Sequence, residues 1–368
     1  MKPRILILTD YYYPHWTGIS KSIKYLTQAL KTSFDFTILT IRYKKKLKSK
    51  EIIDSIPVIR TDYLFSISRA KYSLSTIFKF ISIIRMFDIV FINSPYTNIL
   101  PITIIAKIFR KKLIIFHQGD LILSKGYLNK IIEILFNIST FISLFLANKV
   151  STYTLDYAKN SRLLKFFLYK FQSLLVPMPF KKIEKTNKRK SNNIILGFAG
   201  RFVEEKGFDI LFEAIPNIIK VNPNTLFIFA GEIGLDYENF FKKNIDTYNK
   251  NKKYIQLVGL LNEKKIKKFY KSLDFIIVPS RSDCFNLVQT EALLSNTPAI
   301  SANIPGLRYL INKSNFGITF KKNSSEDLAK KVNYVIKNRH IIEKNYHQVL
   351  SILEYKKIKN KAINFFLS

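Results

Sequence analysis

An α/β fold of two successive parallel-sheet domains is what this sequence predicts, and three observations predict it. Short apolar runs of strand length recur along the chain, helix-like apolar segments separate them, and the alternation stops once, at a polar basic stretch, before it restarts. With 368 residues, 47% of them apolar, the chain can fill two cores, so disorder is excluded as its general state.

In the first half the predicted strands are Ile5 to Leu8, Phe36 to Ile41, Asp88 to Ile92, Leu113 to Phe116 and Lys149 to Thr152, with helical segments such as Ser20 to Leu30 and Tyr96 to Phe109 between them. The stretch Lys181 to Asn193 has almost no apolar residues and reads as a linker. Strands then resume with Ile194 to Phe198, Thr225 to Ala230, Tyr254 to Val258, Phe275 to Val278, Ala299 to Ser301 and Gly317 to Phe320. The expected limits are 1–176 for the first domain, 177–193 for the linker and 194–349 for the second, with a C-terminal helix over about 350–368 packing back on the first. A cleft between the two domains, where strand ends meet helix N-termini, is the expected place for a ligand.

The single cysteine, Cys284, excludes an intramolecular disulfide framework, and the four histidines show no metal-ligand spacing. A reducing cytoplasm fits. The N-terminal MKPRILILTDYYYPHW reads as a buried first strand rather than a signal peptide. Ile131 to Ala147 is of about membrane-spanning length, yet it carries Glu133, Asn137 and several hydroxyls, and reads as a buried or surface-resting helix. A formal charge of +34 draws a protein to anionic lipid, nucleic acid or phosphorylated substrates, or else reflects a lysine-rich composition spread over solvated faces. No nucleic-acid module accompanies the charge, so nucleic acid is not expected.

Two segments carry chemistry. In GFAGRFVEEKGFDILFEAI a strand turns at Gly200 into a helix that keeps Phe208, Leu211, Phe212, Ile215, Ile218 and Ile219 on one face, with a kink or early end expected at Pro216. Arg201 and Lys206 lie on the approach to that helix N-terminus, which itself favours anions, so together they suit a diphosphate. Surface cations beside a helix are the plainer alternative. In VPSRSDCFNLVQTEALLSNTPAIS, strand Phe275 to Val278 runs into a loop and a helix from about Phe285. Asp283 and Glu291, eight residues apart, can accept bonds from sugar hydroxyls, while the N–H groups of Phe285, Asn286 and Leu287 can meet phosphate oxygens. Singly, Asp283 could be an N-cap and Glu291 a solvated helix residue.

The pairing of GRFVEEKGFDILFEAI with PSRSDCFNLVQTEALLSNTPAI about eighty residues later resembles the retaining glycosyltransferases of family 4 (glycosyl transferases group 1), which have the GT-B fold of two Rossmann-like domains. The second segment looks like that family's Glu-x7-Glu region. The resemblance implies that Arg201 and Lys206 hold the donor diphosphate, that Glu291 holds the ribose, and that Asp283 touches the transferred sugar from a carboxylate one methylene shorter than the family's usual glutamate. Gly200, Cys284, Phe285, Asn286 and Leu287 fall in the same donor-binding segments, with Asn286 where a glycine is common. Tyr11 to Ser20, with Gly18, resembles the family's glycine-containing loop near the acceptor and diphosphate, although it has one glycine instead of two. HQGD places His117 at the position of the family's active-site histidine, where it would bond the donor sugar.

The resemblance implies a hexosyltransferase, retaining and metal-independent, that moves a sugar from a nucleotide-sugar donor to a glycan or lipid-linked acceptor in cell-surface polysaccharide biosynthesis. No cofactor is expected, and no metal, since the chain has no Asp-x-Asp pair. Tyr63 to Arg85 mixes cations with apolar residues, either to rest on an anionic membrane surface or as a core-facing helix, so the expected location is cytoplasmic or peripheral on the inner face of the cell membrane. Two rivals stay open: a nucleotide-sugar 2-epimerase of the same fold, and a non-catalytic basic protein that binds membranes or polyanions.

Overall fold

A computed structural model describes residues 2–15, 17–67, 70–121, 126–179, 193–233 and 239–368. The chain divides into two compact units, one of Met1–Pro179 with Tyr355–Ser368 and the other of Phe180–Glu354. Most of the expected linker, residues 180–192, lies outside the described residues.

The first unit runs β1 (Arg4–Leu8), α1 (Gly18–Leu30), β2 (Asp35–Ile41), β3 (Lys50–Ile53), β4 (Ile56–Thr61), β5 (Phe65–Ile67), β6 (Ala70–Tyr72), α2 (Leu74–Ile83), β7 (Ile89–Ser94), α3 (Ile99–Ile108), β8 (Lys112–His117), α4 (Tyr127–Leu146), β9 (Lys149–Ser151) and α5 (Leu155–Asn160). Its seven-stranded sheet has the order β3-β4-β2-β1-β7-β8-β9. Pairing is parallel except between β3 and β4. Because helices cover both faces, the central strands read as unbroken apolar runs, and every residue of β7 is buried.

The stretch Tyr63 to Arg85 is not one helix but the hairpin β5–β6 followed by α2. Ser73 causes the break: its hydroxyl accepts from Thr76 N at 3.1 Å to cap α2 and itself donates to Asp62 O, fixing where the helix begins.

The second unit runs β10 (Ile194–Ala199), α6 (Phe208–Val221), β11 (Thr225–Ala230), α7 (Phe240–Lys243), α8 (Ile245–Asn251), β12 (Ile255–Gly259), α9 (Glu263–Ser272), β13 (Phe275–Val278), α10 (Leu287–Leu294), β14 (Ala299–Ala302), α11 (Pro305–Ser314), β15 (Gly317–Phe320), α12 (Ser325–Lys337), α13 (Arg339–Glu343) and α14 (Tyr346–Ile352). All its sheet neighbours are parallel, in the order β12-β11-β10-β13-β14-β15. Of the two outcomes expected at Pro216, a kink or an early end, the early end does not occur: α6 runs on to Val221. A proline there strips the carbonyl of Phe212 of its helical partner, and the buried Asn251 supplies another by donating to Phe212 O at 3.2 Å.

The last helix, α15 (Tyr355–Leu367), belongs to the first unit. Phe366 packs 5.5 Å from Phe34 and 5.3 Å from Phe91 between ring centroids. Lys112 and Lys149 donate to the terminal carbonyls of Phe366 and Phe365 at 3.1 and 2.7 Å, where cations suit a helix C-terminus. Burial, and then the neighbouring Lys112, bring the Lys149 ammonium down to about 8.

Candidate functional site

In the second sheet the chain turns to opposite sides after β10, so β10 and β13, side by side, form the topological switch point. Open parallel sheets bind ligands at the carboxyl ends of such strands. Both sequence-selected segments lie there: Gly200 to Gly207 after β10, and Pro279 to Asn286 after β13.

Side chains join the two loops. Lys206 Nζ donates to Asp283 Oδ2 at 2.9 Å and stands 3.4 Å from Glu205 Oε1. Burial works against its charge, but Asp283 and then Glu205 outweigh it and push the ammonium above its usual range. Asn286 Nδ2 donates to the same Asp283 oxygen at 2.7 Å, while Asn286 Oδ1 caps α10 by accepting from Gln289 N at 2.8 Å. The helix therefore begins at Leu287 with Asn286 as its N-cap, not at Phe285, and the residue that replaces the family's common glycine orients the carboxylate. Arg201 keeps about a third of its side chain exposed, with Nη2 3.9 Å from Glu205. Burial, and then the charge of Asp283, raise the Cys284 thiol, which stays protonated and unsuited to nucleophilic work.

Glu291 sits in the second turn of α10, 3% exposed, and accepts from Tyr270 OH at 3.1 Å. The structure thus brings Arg201, Lys206, Asp283 and Asn286 into one cluster beside Gly200, Cys284 and Phe285, and places Glu291 behind it on the same helix. Gly18 and His117 belong to the other unit. Gly18 is the first residue of α1, where a Cβ would meet nothing within 4 Å. His117 ends β8 with no exposure, its Nδ1 3.2 Å from Ser94 Oγ and its Nε2 3.0 Å from Asp120 Oδ1. Burial opposes ionisation of Asp120, yet the bond to His117, with Arg162 N–H and Ser161, holds its carboxyl below the usual range.

Three residues not named as site candidates support the cluster. Arg281 grips Asp209 with two bonds of 2.8 and 2.6 Å and donates to Glu204 O at 2.7 Å, pinning the second loop to the first. That pair, and secondarily loss of solvent working against it, leaves the guanidinium above its usual range. Gly306 is required by close approach, since a Cβ there would stand 1.8 Å from Asp283 O. Arg281 lies within the selected segment and was legible there as a cation. Its partner is 72 residues away, and Gly306 stands in the first turn of α11, behind Pro305, with nothing in the sequence to mark what it touches.

Residues 179–354 match the family model described as glycosyl transferases group 1. Over 144 residues the chain is 32% identical to an uncharacterised glycosyltransferase of Methanocaldococcus jannaschii, covering 39% of this chain and 38% of that one. It is 30% identical to a glycogen synthase of Aquifex aeolicus over 36% of this chain and 27% of that one. The matches thus span well under two thirds of these curated relatives. Among solved structures, sucrose-phosphate synthase of Thermosynechococcus elongatus superposes with a TM-score of 0.78 at 14% identity, over 99% of this chain and 98% of that one. Anabaena HepE, solved with UDP and with UDP-glucose, superposes with a TM-score of 0.76 at 15% identity in its UDP complex, covering 100% of this chain and 99% of that one. At such identities the likeness speaks for the fold alone: the chain has the GT-B fold, and the stretch that matches the glycosyl transferases group 1 model, residues 179–354, is just under half of it.

Proposed function

We propose that the chain is a hexosyltransferase that moves a sugar from a nucleotide-sugar donor, with retention of configuration and without a metal, to a glycan or lipid-linked acceptor in polysaccharide biosynthesis. One observation carries the reading: Lys206, Asp283 and Asn286 knit the loops after β10 and β13 together at the switch point, beside Arg201 and the N-terminus of α10. Relatives support the donor class, since HepE is solved with UDP and UDP-glucose. So does the presence among the relatives of capsular and O-antigen biosynthesis glycosyltransferases of Staphylococcus aureus and Escherichia coli.

In this reading Arg201 and Lys206 neutralise the charge that develops on the departing diphosphate, the part a divalent cation would otherwise play. Lys206 suits that task because its two carboxylate neighbours keep it charged. Asp283, held by Lys206 and Asn286, presents its carboxylate to a sugar hydroxyl, and Glu291 takes the ribose. Retention results if the leaving phosphate oxygen itself receives the acceptor proton on the face it departs from, which requires no enzymic nucleophile.

Calorimetry with UDP-, GDP- and ADP-sugars in EDTA tests the site. Selective binding of one donor class is expected, weakened by about 1.5–3 kcal/mol in Glu291→Ala. Following the bound donor by proton NMR should show release of a sugar that first appears in the donor's own anomeric form. An inverted first product would overturn retention, a 2-epimer of the intact donor would favour the epimerase, and no binding by any nucleotide sugar would overturn the assignment.

A further inference from the structure

We propose that the outward face of α4 docks the first unit onto the surface of an anionic phospholipid bilayer, with the helix lying in the plane of the headgroups. The helix is inverted relative to an ordinary surface helix. Leu128, Ile131, Leu135, Ile138, Ile142 and Phe145 recur at intervals of three and four residues and all face outward, with Leu128 73% and Phe145 62% exposed. Its buried residues are Thr140, Ser143 and Leu144. A helix that shows its apolar stripe to the outside and turns hydroxyls inward has its missing partner outside the fold.

The stripe continues onto its neighbours. Ile108 of α3 is 72% exposed, and the turn Leu164–Lys170 adds Phe166 and Tyr169, with Phe166 5.9 Å from Phe141 of α4. Cations rim it: Lys107, Lys130 and Lys165 are exposed, and Lys170 donates to Phe145 O and Ala147 O at the helix C-terminus. Between Leu121 and Ala147 the sequence has one acidic residue, Glu133, and Arg162 bonds it at 2.7 Å. An apolar stripe framed by cations matches the layered chemistry of an anionic bilayer, acyl chains beneath phosphates. A second copy is the poorer fit, because two such rims would repel.

By length and composition α4 could also cross a membrane, and only 17% of its span is buried. Its place in the chain argues for lying flat. It connects β8 to β9, parallel neighbours in the sheet, and Thr140, Ser143 and Leu144 seat it on the unit, contacts that a spanning helix would give up.

The test is co-sedimentation of the full chain with vesicles of phosphatidylcholine alone and of phosphatidylcholine with phosphatidylglycerol. Wild type should bind the anionic vesicles at least tenfold more tightly than the neutral ones and lose that binding as salt rises. Leu135→Glu with Ile142→Glu, both at exposed positions, should lose it by tenfold or more, with an unchanged melting temperature as proof of folding. Equal binding by wild type and the double variant, or no anionic preference, would overturn the proposal. So would a wild-type dimer that the double variant dissolves while neither binds vesicles, since the face would then pair two copies. Nucleotide-sugar binding in the second unit reads out separately, so failure here and failure of the transferase reading are distinguishable.

Discussion

Single residues set the fine geometry, and in the first unit the charge state of Asp10 bears on stability. It follows β1, and its Oδ2 accepts from Thr97 N and Thr97 Oγ1 at 3.0 and 2.7 Å, while Oδ1 is buried with no hydrogen-bond partner. Burial raises the carboxyl to about 7, the two Thr97 bonds opposing it. Between pH 4 and 7 the folded state therefore holds a proton that the unfolded chain has released, so stability must fall as pH rises through that window. Thermal melts should show wild type losing melting temperature between pH 4 and 7 relative to Asp10→Asn, which keeps an acceptor for Thr97 but cannot titrate. Parallel profiles would refute this. Gly306 allows a second measurement at the same scale. Gly306→Ala must push back the Asp283 carbonyl or shift α11, an overpacking of about 1–3 kcal/mol, and should weaken donor binding along with the melting temperature.

Elements were more legible than their joints. Strands Thr225–Ala230, Phe275–Val278 and Gly317–Phe320 fall where their apolar runs predict; in Phe275–Val278, buried along its whole length, a parallel strand covered on both faces writes its limits directly into composition. The strands β3, β5 and β6 escape the pattern because they are only three or four residues long, and β4, with four of its six residues buried, because Pro57, Arg60 and Thr61 break up its apolar run. At the site, the residue types were legible and their bonding was not. Asn286 as N-cap, Tyr270 on Glu291 and Arg281 on Asp209 each depend on contacts that no local pattern encodes. The Arg281–Asp209 pair is the joint to break. Arg281→Ala leaves Asp209, 7% exposed, without its main partner, and should destabilise the second unit by about 1–3 kcal/mol, with Arg281→Lys recovering only part because one ammonium cannot replace a two-pronged guanidinium. Chemical denaturation of the three proteins checks the order.

At the scale of the whole molecule, the division into two α/β units followed from one break in an otherwise regular alternation, and α15 falls with the first unit, where a C-terminal helix was expected to pack back. Its attachment is made by rings far back in the chain: Phe366 against Phe34 and Phe91. Order of synthesis then matters. Residues 180–354 emerge after the first 179 and before α15, so the second unit has all its strands while the first still lacks the helix that covers Phe34 and Phe91. At about 5–20 residues per second on the ribosome, that core waits roughly ten to thirty-five seconds half-roofed. Of the two units, the one whose synthesis starts first is completed second, and a growing polypeptide must shield its aromatic floor through that interval.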